Sequence, residues 1–288
     1  MKRAPDWASD GRDWPHRQFS RFVDAAGLRW HVQAQGSGPA ILLIHGTGAA
    51  THSWRGMAAR LAEHFTVIAP DLPGHGFTQM HAKPALSLPM MASSLAALMA
   101  KLNIRPDFVV GHSAGAAIGL RMILDQSIAP RRIISLSGAL VPFPGSAGIV
   151  FPALAKLLFV NPLVAPLIAW RANDPTAVAR VIAGTGSHLD AEGLNLYWRL
   201  LQTRRHIEAT MGMMANWDLW PLLRELPKLP IPLTLVAPER DQAVPPRVAT
   251  RVSALVRLAE IISIPGRGHL AHEEDPIGFA ELIIKACV

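Results

Sequence analysis

Short apolar runs of four or five residues alternate along this chain with longer stretches of helical periodicity, and this alternation constrains the fold most. Runs of that length and β-branched content read as strands buried on both faces. Strands separated by helical crossovers pair in parallel. The series is Ile41–Ile44, Phe65–Ala69, Phe108-Val109-Val110, Ile133–Leu136, Leu233–Val236 and Ile261–Ile264. Ahead of it, Ser20–Asp24 and Leu28–Gln33 flank Ala26-Gly27 and read as a hairpin. Trp54–Glu63, Pro89–Leu102, Ala114–Gln126 and Ile277–Lys285 read as helices. In the second of these, Met91, Leu95, Leu98, Met99 and Leu102 recur at the spacing of one buried face. The expectation is an α/β fold: a mostly parallel eight-stranded sheet flanked by helices.

The rhythm breaks between Gly138 and about Ala215, where no clear strand occurs and several helical pieces begin at prolines. The expected division is a core of residues 1–138 and 216–288 with a helical insertion over 139–215. Lys156 is the only charged residue between Arg132 and Arg171. A membrane span needs about 20 uninterrupted apolar residues, and Pro142, Pro144, Gly145, Gly148 and Pro152 punctuate this run. An insertion packed on the sheet domain is expected, with a weak peripheral membrane contact through its charge-poor start as the other expectation.

Composition excludes several classes. Hydrophobic residues make up 50% of the 288 and charged residues 17%, which is the balance of a chain with a large core, not a disordered one. Cys287 is the single cysteine, so neither an intrachain disulfide nor a cysteine-based zinc site can form. Lys and Arg total 28 against 21 Asp and Glu, a net charge of +7. The cations are dispersed, with only pairs such as Arg131-Arg132 and Arg204-Arg205, and there is one tyrosine; no nucleic-acid partner is expected. The excess positive charge suits carboxylate-bearing ligands. Met1-Lys2-Arg3-Ala4-Pro5-Asp6-Trp7 is too polar for a signal peptide, and a cytoplasmic location is expected.

The chemistry concentrates at Gly111-His112-Ser113-Ala114-Gly115, on a strand-to-helix junction. A sharp turn there holds a serine in a strained backbone and lifts its hydroxyl clear of the sheet. A serine needs a base, and the base an orienting acid, in the chain order serine, acid, histidine. His269 follows the final strand. Asp241 follows the Leu233–Val236 strand, with Glu239 in reserve, while Ser137-Gly138 after Ile133–Leu136 offers no carboxylate. The catalytic candidates are therefore Ser113, Asp241 and His269, with the N–H groups of Thr47 and Ala114 as the oxyanion hole.

Other residues read more plainly. His45 and His112 are expected to bond backbone, and Asp71 to tie its own glycine-rich loop. His269-x-x-His272 lacks a third ligand at metal spacing, so no metal is expected. Gly46-x-Gly48 lacks the third glycine and the ribose ligand of a dinucleotide site. Met211, Met213, Met214, Trp217 and Trp220 suit ordinary packing, with Met213, Met214 and Trp217 the candidate wall for a flat apolar ligand.

His45-Gly46-Thr47-Gly48, Asp71-Leu72-Pro73-Gly74-His75-Gly76, the Ser113 pentapeptide, and Gly268-His269 with Glu274 and Pro276 together resemble the α/β-hydrolase family over nearly the whole chain. That resemblance implies a cap between the sixth and seventh strands of the sheet and hydrolysis of an acyl bond in a hydrophobic small molecule, with no cofactor. Serine at the elbow, where dehalogenases and epoxide hydrolases use aspartate, argues for ester chemistry. Within the family, Leu28–Gln33, Ile44–Trp54 and Gly212–Asp218 are similar to the branch that accompanies magnesium chelatase in bacteriochlorophyll biosynthesis. This narrower resemblance implies a tetrapyrrole ligand and an association with the chelatase. It leaves open a second function, a non-catalytic tetrapyrrole-binding accessory on a hydrolase scaffold.

Overall fold

Residues 2–80, 86–142 and 174–288 are described by the computed structural model. The strands are β1 (Ser20–Ala25), β2 (Leu28–Gln35), β3 (Ala40–Ile44), β4 (Thr66–Pro70), β5 (Phe108–His112), β6 (Arg132–Leu136), β7 (Leu233–Pro238) and β8 (Ala259–Ile264). They form one sheet in the order β1-β2-β4-β3-β5-β6-β7-β8. The hairpin β1–β2 and the pair β2–β4 are antiparallel, and every other pairing is parallel. The expected mostly parallel eight-stranded sheet is the one observed.

Period-two alternation divides the apolar residues between two faces. Leu42 and Ile44 of β3 join a cluster with α2 (Leu88–Leu102) and α3 (Ala114–Leu124), whereas Ile41 and Leu43 pack under Trp54, Met57 and Leu61. The second face is closed by Phe279 and Ile283 of the C-terminal helix Pro276–Cys287. Met91, Leu95, Leu98 and Met99 are buried as their spacing demands.

The expected helix over Trp54–Glu63 is not continuous. A 3-10 turn covers Thr51–Trp54, and α1 is confined to Ala58–Leu61. Gly56, a poor helix former, sits between them against Pro276, where a Cβ would come within 2.6 Å of the ring. That long-range contact decides the local geometry.

Between β6 and β7 lie α4 (Pro175–Ala183), α5 (Ala191–Leu201) and α6 (Arg204–Ala215), the helical cap. Asp174 and Asp190 cap the first two by accepting N–H bonds from Thr176 and Gly193. The remaining helices among the described residues are α7 (Trp220–Glu225), α8 (Arg247–Ser253), α9 (Ala271–Glu274) and α10, the C-terminal helix above. Most of the charge-poor start of the insertion, with Lys156 and the expected membrane contact, falls in 143–173 and lies outside the described residues. Among the described residues no helix is long and apolar enough to cross a membrane.

Candidate active site

Parallel register delivers the candidate residues to one edge. Ile44 pairs with Gly111, His112 with Leu136, and Pro238 with Ile264. Each following loop therefore leaves the sheet at its carboxyl end, where ligands of open α/β sheets bind. The ladder continues one step beyond the strands, since Ser113 N–H donates to Leu136 O at 2.9 Å and Ser137 N–H to Val236 O at 3.0 Å.

Ser113 occupies the N-cap of α3 with φ 51° and ψ −117°, a region that costs a non-glycine residue on the order of 1–3 kcal/mol. The flanking glycines allow it. A Cβ on Gly111 would overlap Ala116, and one on Gly115 would overlap the carbonyl oxygen of Ile44. Strand, turn and helix are thus packed backbone to backbone.

Asp241 and His269 meet although 28 residues separate them. His269 Nδ1 donates to Asp241 Oδ2 at 2.9 Å, in a site where both side chains are nearly closed to solvent. The other carboxylate oxygen accepts from Ala243 N–H at 2.9 Å and Val244 N–H at 2.7 Å. Nδ1 as the donor leaves Nε2 as the basic nitrogen. Glu239, the reserve acid, is exposed. Among the described residues, Ser113 Oγ forms no hydrogen bond to His269; the turn that carries it is tied to the base through His112 Nε2 donating to His269 O at 3.0 Å.

The N–H groups of Thr47 and Ala114 take no acceptor among the described residues. Thr47 Oγ1 donates to Met213 Sδ at 3.6 Å, which ties the loop after β3 to α6. Met213 is fully buried, Trp217 half-buried and Met214 exposed. Successive helical residues point about 100° apart, so Met213 and Met214 face different surroundings.

The surrounding histidines are buried and neutral. His45 donates from Nδ1 to Gly46 O at 2.8 Å and accepts from Leu72 N–H at 2.9 Å. His112 donates from Nε2 to His269 O at 3.0 Å, and burial pushes its pKa well down. His272 turns toward Ser53. Its Nε2 meets Ser53 Oγ at 2.8 Å, and burial lowers its pKa to about 3. Asp71 accepts from Thr51 N–H and Phe77 N–H at 2.7 and 2.8 Å and from His31 at 2.7 Å, and so ties its loop.

His206 is a site neighbour that the sequence reading passed over. It lies on α6, donates from Nε2 to Gly48 O at 3.0 Å and accepts from Gly76 N–H at 3.2 Å. Burial lowers its pKa to about 4. The available signal was its spacing of seven from Met213, which places both on the inward face of one helix.

The description "Alpha/beta hydrolase family" matches residues 41–282. The chain is 37% identical over 274 residues to the magnesium-chelatase 30 kDa subunit of Rhodobacter capsulatus, covering 94% of this chain and 95% of that one. Among solved structures it resembles the epoxide hydrolase CorEH at TM-score 0.79 and 22% identity, over 92% of this chain and 97% of the other. It also resembles the esterase EaEST from Exiguobacterium antarcticum at TM-score 0.77 and 17% identity, over 92% and 98%. Those two likenesses concern the fold alone. With the family pattern spanning most of the sequence and the sheet order observed, this chain belongs to the alpha/beta hydrolase family.

Proposed function

We propose that the protein is a serine hydrolase of ester-type acyl bonds, with residues 1–138 and 216–288 carrying the machinery and 139–215 covering it. The observation that supports this most is the 2.9 Å His269–Asp241 bond, which commits the imidazole to one tautomer at the sheet edge that also holds strained Ser113. The mechanism requires Ser113 Oγ to meet His269 Nε2 in the reacting complex; such bonds often tighten only with substrate. Oγ then attacks the carbonyl carbon as Nε2 takes its proton. The Thr47 and Ala114 N–H groups, the latter at the positive end of α3, receive the charge on the carbonyl oxygen. His269 returns the proton to the leaving alcohol, and water, activated in the same way, releases the acid and regenerates Ser113.

For the substrate we propose a hydrophobic ester bearing carboxylates, a class that includes tetrapyrrole esters, handled in the cytoplasm beside a magnesium chelatase. The support is the likeness to the Rhodobacter protein named as a chelatase subunit and the chain's net charge of +7. The test is fluorophosphonate labelling. Wild-type protein is expected to take the label at Ser113, and Ser113→Ala to lose it and to lower ester turnover by roughly 10⁴–10⁶. A Ser113→Ala variant that keeps a tenth of the turnover rejects the nucleophile. A second reading, a binding-only tetrapyrrole accessory, draws on the same relative's name and on the open Ser113–His269 geometry. Porphyrin binding unchanged by Ser113→Ala in protein that never labels would favour it.

A further inference from the structure

We infer that Thr185-Gly186-Ser187, the turn that ends α4 in the cap, is a positioning clamp that sets the Asp241–His269 geometry. This rests on the serine-hydrolase reading and adds to it a part of the machinery that comes from the cap. Asp241 and His269 stand on separate loops, after β7 and β8. Direct backbone links between them, among the described residues, stay close to the strand ends: Glu239 N–H to Ile264 O at 3.0 Å and Arg240 N–H to Arg267 O at 2.9 Å. Beyond that point, apart from the His269–Asp241 side-chain bond itself, the loops are joined through the cap. The single carbonyl oxygen of Thr185 accepts from Gln242 N–H at 3.1 Å and from His269 N–H at 3.3 Å, so one atom spans the acid loop and the base itself. Ser187 Oγ, fully buried, accepts from Leu270 N–H at 2.8 Å.

The packing leaves little room for these loops to separate independently. Gly186 has φ +83°, and a Cβ there would overlap the carbonyl oxygen of Arg240; a Cβ on Gly268 would overlap Gly186. Three backbones meet with no side chain between them. On the outer side Val178 and Ile182 of α4 pack with Leu270, the residue after the histidine. The carboxylate of Glu274 accepts from His188 N–H at 2.6 Å and Gly268 N–H at 3.2 Å. An ordinary cap interface would bury apolar surface alone. This one also sets hydrogen-bond acceptors against His269 itself and against Gln242 and Leu270, the residues that follow the acid and the base.

The test pairs a spectroscopic signature with a rate. In wild-type protein the proton shared by His269 Nδ1 and Asp241 is expected as a far-downfield proton resonance, and fluorophosphonate labels Ser113. Ser187→Ala, which removes one acceptor and little volume, is expected to broaden away that resonance. It should also lower the inactivation rate constant about tenfold, at an unchanged half-saturating probe concentration. Gly186→Ala is expected to do the same more severely. Ile283→Val, a small loss of packing in the C-terminal helix that removes no hydrogen bond, should keep both readouts. Resonance and rate both unchanged in Ser187→Ala overturn the clamp. If wild-type protein takes no label, the hydrolase reading falls, and the resonance alone decides the clamp: loss in Ser187→Ala sustains it and persistence refutes it.

Discussion

Gly46 lies so close to the strained Ser113 turn that a Cβ on it would stand 3.1 Å from Cβ of Ser113 and 2.7 Å from Nδ1 of His112. The loop carrying one proposed oxyanion donor and the turn carrying the proposed nucleophile are therefore in van der Waals contact. Gly46→Ala is expected to push them apart. Overpacking of this kind costs roughly 1–3 kcal/mol of stability, and a displaced donor lowers the rate about 10²-fold or more. Denaturant unfolding and ester turnover of the same preparation check the two effects. A variant with full turnover would show that the loop after β3 is not part of the machinery.

Asp241→Asn separates charge and tautomer from packing. The asparagine oxygen can still accept from Ala243 and Val244 N–H, which orients its amide NH₂ toward His269 Nδ1. Nδ1 must then accept, the proton moves to Nε2, and the imidazole no longer takes a proton from Ser113. Labelling by fluorophosphonate is expected to slow by about 10⁴-fold, with the melting midpoint little changed. A loss below tenfold would place the orienting acid elsewhere.

Strain at Ser113 predicts a variant that gains stability as it loses function. Glycine adopts φ 51° freely, which releases on the order of 1–3 kcal/mol, while the extra freedom of the unfolded chain takes back about 0.5–1 kcal/mol. Ser113→Gly is expected to be about 1 kcal/mol more stable than the parent, a rise of roughly 2 °C in Tm, and not to label. A Tm below that of the parent would mean that the serine side chain supports the turn.

What could be read from the sequence was mostly what is encoded locally. The elbow is legible because Gly111 and Gly115 are required by contacts within five residues and the adjoining strand. Asp241 and His269 are legible from chain order, since parallel register brings every loop after a strand to one edge. The helix expected at Trp54–Glu63 fails because its break is decided by Pro276, more than 200 residues away. Thr185–Ser187 is invisible for a related reason: its principal acceptor is a backbone carbonyl, which every residue type possesses.

The buried histidines predict how the fold responds to acid. Burial lowers the pKa of His45, His52, His75, His112, His206 and His272, to about 4 for His206 and about 3 for His272. In the unfolded chain these groups titrate near 6.5. As pH falls from 6.5 the unfolded state therefore binds protons that the folded state refuses. Stability is full above about 6.5 and is lost down to about 4 for His206, by on the order of 3 kcal/mol at completion. Around His206 the bond to Gly48 O and the charge of Asp71 favour protonation and the charge of Arg205 opposes it, but burial outweighs them. Glu273 works the other way. Burial lifts its pKa despite Arg55 Nη1 at 2.6 Å, so the folded state takes up that proton first on acidification. Six histidines against one carboxylate set the net sign: Tm should fall steadily from pH 7 to pH 5, above the range where ordinary carboxylates titrate. His206→Gln keeps a donor for Gly48 O and an acceptor for Gly76 N–H without a titrating ring, so its Tm should fall less steeply over that interval. Melting curves at pH 7, 6 and 5 decide the matter, and equal slopes for parent and variant would remove His206 from the acid response.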